Sequence, residues 1–119
     1  MYAGLTRALA CHALACGLFA LLAVRPAAAQ YQPMITLYSQ TGYKGPSVQL
    51  IVPAGDLHGL GFANRTVSFI VQSGTWRLCD GLNWTGHCII AHQGRYPAGY
   101  SNGFSRKVVS LQPVTKKNP

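Results

Sequence analysis

Between Met34 and Pro113 the apolar residues fall in short β-branched or aromatic runs, broken by Gly, Pro, Asn and Ser. The runs are Met34 to Ser39, Ser47 to Val52, Thr66 to Gln72, Thr75 to Cys79, Cys88 to Ala91 and Lys107 to Pro113. No heptad, long amphipathic helix or charge run interrupts them, and the pattern predicts an all-β sandwich. The chain's 13 glycines suit the many tight turns such a fold needs. Thr75 to Cys79 and Cys88 to Ala91, joined by a turn through Asp80 to Gly86, predict a hairpin with a cysteine on each arm.

The plan occurs twice. Leu37, Tyr38, Tyr43 and Gly45 return as Leu78, Cys79, Trp84 and Gly86, each offset by 41 positions. Gly61 to Ser68 returns as Gly103 to Ser110 with an offset of 42, so one residue is inserted between the blocks. Two repeats, residues 34–73 and 74–113, each with four short strands, predict an internally duplicated sandwich of about eight strands.

The first 29 residues are of a different kind. Arg7 gives a positive start, Ala8 to Val24 is apolar, and Ala27-Ala28-Ala29 is a small-residue cleavage site. The apolar run is short for a bilayer span of about 20 residues. The expectation is a signal peptide cleaved after Ala29 and a secreted or periplasmic protein without a transmembrane segment. Its removal leaves 90 of the 119 residues, one small domain at 30–119. It also takes Arg7 and Arg25 away, lowering the net charge from +8 to +6, with Asp56 and Asp80 the only acids remaining. Such a surface attracts anions through long-range electrostatics. Lys116-Lys117 is read as a short solvated basic tail.

Cys11 and Cys16 leave with the leader, and Cys79 and Cys88 stay. Two thiols are too few for a zinc site, and His87 and His92 add no recognised spacing, so an exported pair predicts a disulfide. It would close a ten-residue loop, worth roughly 2.5 to 3 kcal/mol in the chain-entropy model.

Candidate catalysis is thin. Two aspartates make poor paired-carboxylate chemistry, no phosphate loop or nucleophile elbow is present, and His58, His87 and His92 have no fixed relation to the serines. No enzyme and no cofactor is expected. Asn64-Arg65-Thr66 and Asn83-Trp84-Thr85 match the glycosylation sequon by chance.

An aromatic, four residues, an aromatic, one residue and a glycine, followed some twenty residues later by a serine, resembles the Greek-key motif of the βγ-crystallin family. The residues are Tyr38, Tyr43, Gly45 and Ser68, then Cys79, Trp84, Gly86 and Ser110. Gln93 to Pro97 resembles the segment entering the third strand of such motifs. The resemblance is to single-domain secreted bacterial members, and it implies folding roles for these residues. Gly45 and Gly86 would adopt left-handed backbone where a hairpin folds over its sheet. Tyr43 and Trp84 would cover the turn, and Ser68 and Ser110 would hydrogen-bond its backbone. Cys79 departs from the motif by replacing the first aromatic.

Many microbial members bind calcium through two Asn or Asp, two variable residues, then Ser or Thr and a Ser. Here the segments are Ala63 to Ser68 and Ser105 to Ser110, with Val67 and Val109 at the hydroxyl positions and Asn64 the single amide. Both sites are expected to be lost. Two function classes follow: a structural or stress-related secreted module, or a binding effector such as a proteinase inhibitor or an antimicrobial or toxin-like protein. An inhibitor would present a loop such as Ala98 to Asn102; an antimicrobial would gather Lys44, Arg65, Arg77, Arg95, Arg106 and Lys107 on one face. The expected partner is an anionic surface or a protease, met by a monomer; nucleic acid is not expected, because Tyr43 and Trp84 are assigned to packing.

Overall fold

The computed structural model describes residues 31–99 and 103–119. The expected leader lies outside them, as do Tyr100 to Asn102. Residues Gln32–Pro119 form one compact unit.

Among the described residues seven strands are formed: β1 Met34–Gln40, β2 Lys44–Leu50, β3 Ser68–Ser73, β4 Trp76–Cys79, β5 Cys88–Ala91, β6 Gly94–Tyr96 and β7 Ser110–Pro113. They make two antiparallel sheets, ordered β2-β1-β3-β6 and β5-β4-β7. Period-two alternation sends Ile35 and Leu37 of β1, Phe69 and Val71 of β3, Trp76 and Leu78 of β4 and Leu111 of β7 into the core, where all are essentially inaccessible. Leu57, Phe62, Phe104 and Val108 from the loops complete that core.

The repeats exchange their third segments. β6 belongs to the second repeat, yet it pairs with β3 of the first. Ala54 of the first pairs with Leu111 of the second through two hydrogen bonds of 2.8 and 2.9 Å. This segment is the eighth strand reduced to a single bridge. Pro53 has no N–H to extend it, and Gly55 turns the chain toward the next element.

Three short 3₁₀ turns, Leu57–Leu60, Leu82–Trp84 and Phe104–Lys107, have no counterpart among the runs of the sequence. The last displaces the expected start of the final strand from Lys107 to Ser110. Gly103 enters it left-handed (φ 82°), and Arg106 and Val108 donate to the carbonyls three residues back. The second strand runs from Lys44 rather than Ser47, and the third starts at Ser68 rather than Thr66.

Candidate functional site

Each repeat folds its first hairpin back over its own sheet, and the two folded hairpins place most of the residues singled out by sequence. In the β1–β2 hairpin, Gly42, Tyr43 and Gly45 are left-handed (φ 69°, 64° and 79°). In the β4–β5 hairpin, Asn83, Trp84 and Gly86 are too (φ 51°, 61° and 81°). The offset of 41 that relates the residues therefore relates the backbone as well. At Gly45 an added Cβ would meet the Ser39 hydroxyl at 2.8 Å, and at Gly86 it would run into the Asp80 carboxylate.

Left-handed backbone at a bulky residue costs about 1 to 2 kcal/mol, so something must hold Tyr43 and Trp84. A buried serine does so in each repeat. Ser68 accepts from the Tyr43 N–H (3.0 Å) and donates to the Gln40 carbonyl (2.5 Å). Ser110 accepts from the Trp84 N–H (2.9 Å) and donates to the Gly81 carbonyl (2.6 Å). Both serines are completely buried. Each hydroxyl thus uses one donor and one acceptor to clamp both sides of a turn.

The tips are tied again across the repeats. The Gly42 N–H donates to the Pro97 carbonyl (2.9 Å), and the Asn83 N–H to the Gly55 carbonyl (2.8 Å).

Above the clamps the repeats differ. In the first, Tyr38 meets Tyr43 edge-on at 5.8 Å, and the Arg95 guanidinium lies 4.8 Å from the Tyr43 ring centroid. In the second, the Trp84 indole N–H donates to the Leu111 carbonyl (2.9 Å). The place of Tyr38 is taken by a disulfide between Cys79 and Cys88. These cysteines face each other in the β4–β5 register with Cα atoms 4.1 Å apart. The Cys79 carbonyl is bonded to Val109 on the other side, so the pair is a non-hydrogen-bonded one, the closer of the two kinds in an antiparallel ladder.

The other polar groups serve turns. Asp80 accepts from the His87 N–H (2.8 Å), and the His87 ring meets Phe104 edge-on at 5.1 Å. Asp56 caps Leu57–Leu60 by accepting from the His58 N–H (2.9 Å), with the His58 ring 2.7 Å away. These contacts, the backbone N–H first, hold its carboxyl below the usual range. Among the described residues no group of three His, Cys, Asp or Glu gathers and no pocket forms.

Val67 and Val109 contribute no side-chain oxygen, and their N–H groups donate to Tyr38 and Cys79. Thr66 is fully buried with its hydroxyl unpartnered, and Asn64 is the single amide, left-handed and exposed. Arg65, Arg106 and Lys107 stand in the same loops. A hard dication that needs six to eight oxygens does not fit this donor set.

Of the six cations expected on one face of an antimicrobial, Arg65, Arg106 and Lys107 lie on adjacent loops, because the Asn64 N–H donates to the Val108 carbonyl (2.9 Å). Lys44 and Arg95 flank Tyr43 instead, and Arg77 on β4 reaches the Pro119 carbonyl. Of the Ala98 to Asn102 loop only Ala98 and Gly99 are described. Sequence reasoning missed the left-handed Tyr43 and Trp84, the stacked Arg95 and the Asp56 cap. An Asp before a Leu-His-Gly-Leu stretch that Gly61 terminates was a usable signal for the cap.

A family model described as Beta/Gamma crystallin matches residues 34–114. Gamma-crystallin N of Rattus norvegicus and that of Mus musculus are each 31% identical over 87 residues, which is 72% of this chain and 48% of the relative. The chain therefore spans about half the length of the curated relatives it matches. A solved beta gamma crystallin from Ciona intestinalis superposes with a TM-score of 0.62 at 26% identity, over 68% of this chain and 99% of the other. A betagamma-crystallin from an archaeon shares the fold, with a TM-score of 0.59 at 21% identity over 71% of this chain and 100% of the other.

Proposed function

The chain belongs to the βγ-crystallin family, and from that premise we propose that it is an exported, non-enzymatic structural or stress-related module whose stability does not depend on calcium. The observation that carries this reading is that side chains of the protein close each folded hairpin. The Ser68 and Ser110 hydroxyls each bridge a turn, and Cys79–Cys88 adds a covalent closure in the second repeat. The loops where the family places calcium offer Val67 and Val109 where a liganding hydroxyl would be. Such a module works by persisting: a buried core and a cross-strand disulfide suit an oxidising compartment.

The export part of the proposal rests on the residues preceding Gln30. Its test is the intact mass of the protein recovered from the periplasm or medium of expressing cells. A mature chain beginning at Gln30 with one disulfide supports it, and a retained Met1 overturns it. For the metal part, calorimetric titration with calcium up to millimolar concentration is expected to give no binding heat. A saturable isotherm overturns that part.

A further inference from the structure

We propose that the adjacent loops bearing Arg65, Arg106 and Lys107 are a docking surface for an anionic lipid bilayer, a role separate from the calcium-independent stability above. Segment 57–65 lies along residues 107–109. The Leu57 N–H donates to the Val109 carbonyl (2.7 Å) and the Asn64 N–H to the Val108 carbonyl (2.9 Å). This brings together loops that are equivalent in the two repeats, each with a basic residue at the corresponding place, Arg65 and Lys107. All three cations are exposed.

Arg65 is held in position. Its guanidinium donates to the Gly61 carbonyl (2.9 Å) and lies 5.3 Å from the Phe62 ring centroid, which leaves most of its donors to the outside. Less side-chain freedom is lost when such a group binds. Arg106 and Lys107 make no side-chain hydrogen bond or ion pair among the described residues. Neither aspartate forms an ion pair with these cations: Asp56 is held by His58, and Asp80 accepts from the His87 N–H.

Shape and polarity select the partner. Three exposed cations on adjacent loops present themselves to an extended anionic partner. Leu60, half exposed at 50%, stands next to Gly61, whose carbonyl holds Arg65. A half-exposed leucine next to the carbonyl that anchors Arg65 matches a headgroup layer with hydrocarbon beneath it. Nucleic acid is disfavoured, because Phe62 and Phe104, the phenylalanines of these loops, are buried and offer no ring for base stacking.

The test is co-sedimentation of the protein with phosphatidylglycerol/phosphatidylcholine vesicles and with phosphatidylcholine vesicles, at about 0.1 M salt, where the Debye length is about 10 Å. Binding is expected to the first and not the second. Each basic residue at an anionic surface contributes about fivefold, so Arg65→Gln/Arg106→Gln/Lys107→Gln should bind roughly 100-fold more weakly or worse. Removing the same charge elsewhere, in Lys44→Gln/Lys116→Gln/Lys117→Gln, should cost no more than about threefold through the screened long-range field. Leu60→Gln should cost roughly tenfold. If the triple variant melts below the parent, Arg106→Gln/Lys107→Gln is compared instead, with a loss of roughly 30-fold expected. The proposal is overturned by absent binding to the anionic vesicles, by equal losses in the two triple variants, or by tight binding to a sulfated polysaccharide without vesicle binding.

Discussion

Replacing Ser68 or Ser110 by alanine removes one oxygen and almost no volume, so the cost isolates the clamp from the packing. In Ser68→Ala the Tyr43 N–H and the Gln40 carbonyl lose a partner that stands at 3.0 and 2.5 Å. Each hydrogen bond contributes about 1 kcal/mol net, and a buried group left unpaired costs about 1 to 3 kcal/mol. Water reaches part of the turn, which trims the total to about 2 to 4 kcal/mol. In a domain of this size that lowers the thermal midpoint by roughly 10 to 25 °C. Ser110→Ala breaks the same pair of bonds at the Trp84 N–H and Gly81 carbonyl. There the Cys79–Cys88 bond still closes the hairpin, so the loss should be smaller in the oxidised protein and should grow after reduction. Reduction should leave the Ser68→Ala loss unchanged. The assay is urea denaturation followed by tryptophan fluorescence, since Trp76 is fully buried and Trp84 lies in the clamped turn, with the coupling read as a double-mutant cycle. A Ser68→Ala loss under about 0.5 kcal/mol refutes the clamp. Strict additivity of Ser110→Ala and reduction refutes the claim that serine and disulfide close the same hairpin.

Thr66→Val should stabilise the protein by about 1 kcal/mol in the same assay, because the Thr66 hydroxyl is buried without a partner and the equivalent position of the second repeat is the buried Val108. Gly86→Ala should destabilise by more than about 2 kcal/mol, since left-handed strain adds to a collision with the Asp80 carboxylate; a neutral result would mean the hairpin can be rebuilt. Asp56 has a lowered pKa in the folded state, so its contribution is present above its unfolded value and is lost as the pH falls through the folded one. Urea midpoints of the parent and of Asp56→Asn should therefore differ near neutral pH and converge below about pH 4; a gap that persists at low pH would assign the effect to the backbone cap instead.

What could be read from sequence, and what could not, follows from the range of the interactions. Alternation in Met34–Gln40 and Trp76–Cys79 reports one buried face, which a local pattern carries. The disulfide is legible because Cys79 and Cys88 fall on the two arms of one hairpin pattern. The repeat is legible as an offset, and that offset also relates the left-handed residues of the two turns. The exchange of Ala54 and β6 between repeats is not legible, because it depends on pairing across the whole domain. Left-handed Tyr43 and Trp84 run against their own steric preference, and the bonds that hold them come from serines 25 and 26 residues away. Arg95 carries no local signal for its place over Tyr43, which the β3–β6 pairing sets.

The most direct measurement is the thermal midpoint of the disulfide-bonded protein in 10 mM calcium and in excess chelator. A ligand that binds the folded state must raise the midpoint by mass action, by about 2.7 kcal/mol of stability at a hundred times its dissociation constant. With both hairpins closed by Ser68, Ser110 and Cys79–Cys88, the two midpoints should coincide within a degree or so. A rise of several degrees in calcium would contradict this, and would mean that the loops around Asn64 and Ser105 bind the ion without hydroxyls at Val67 and Val109.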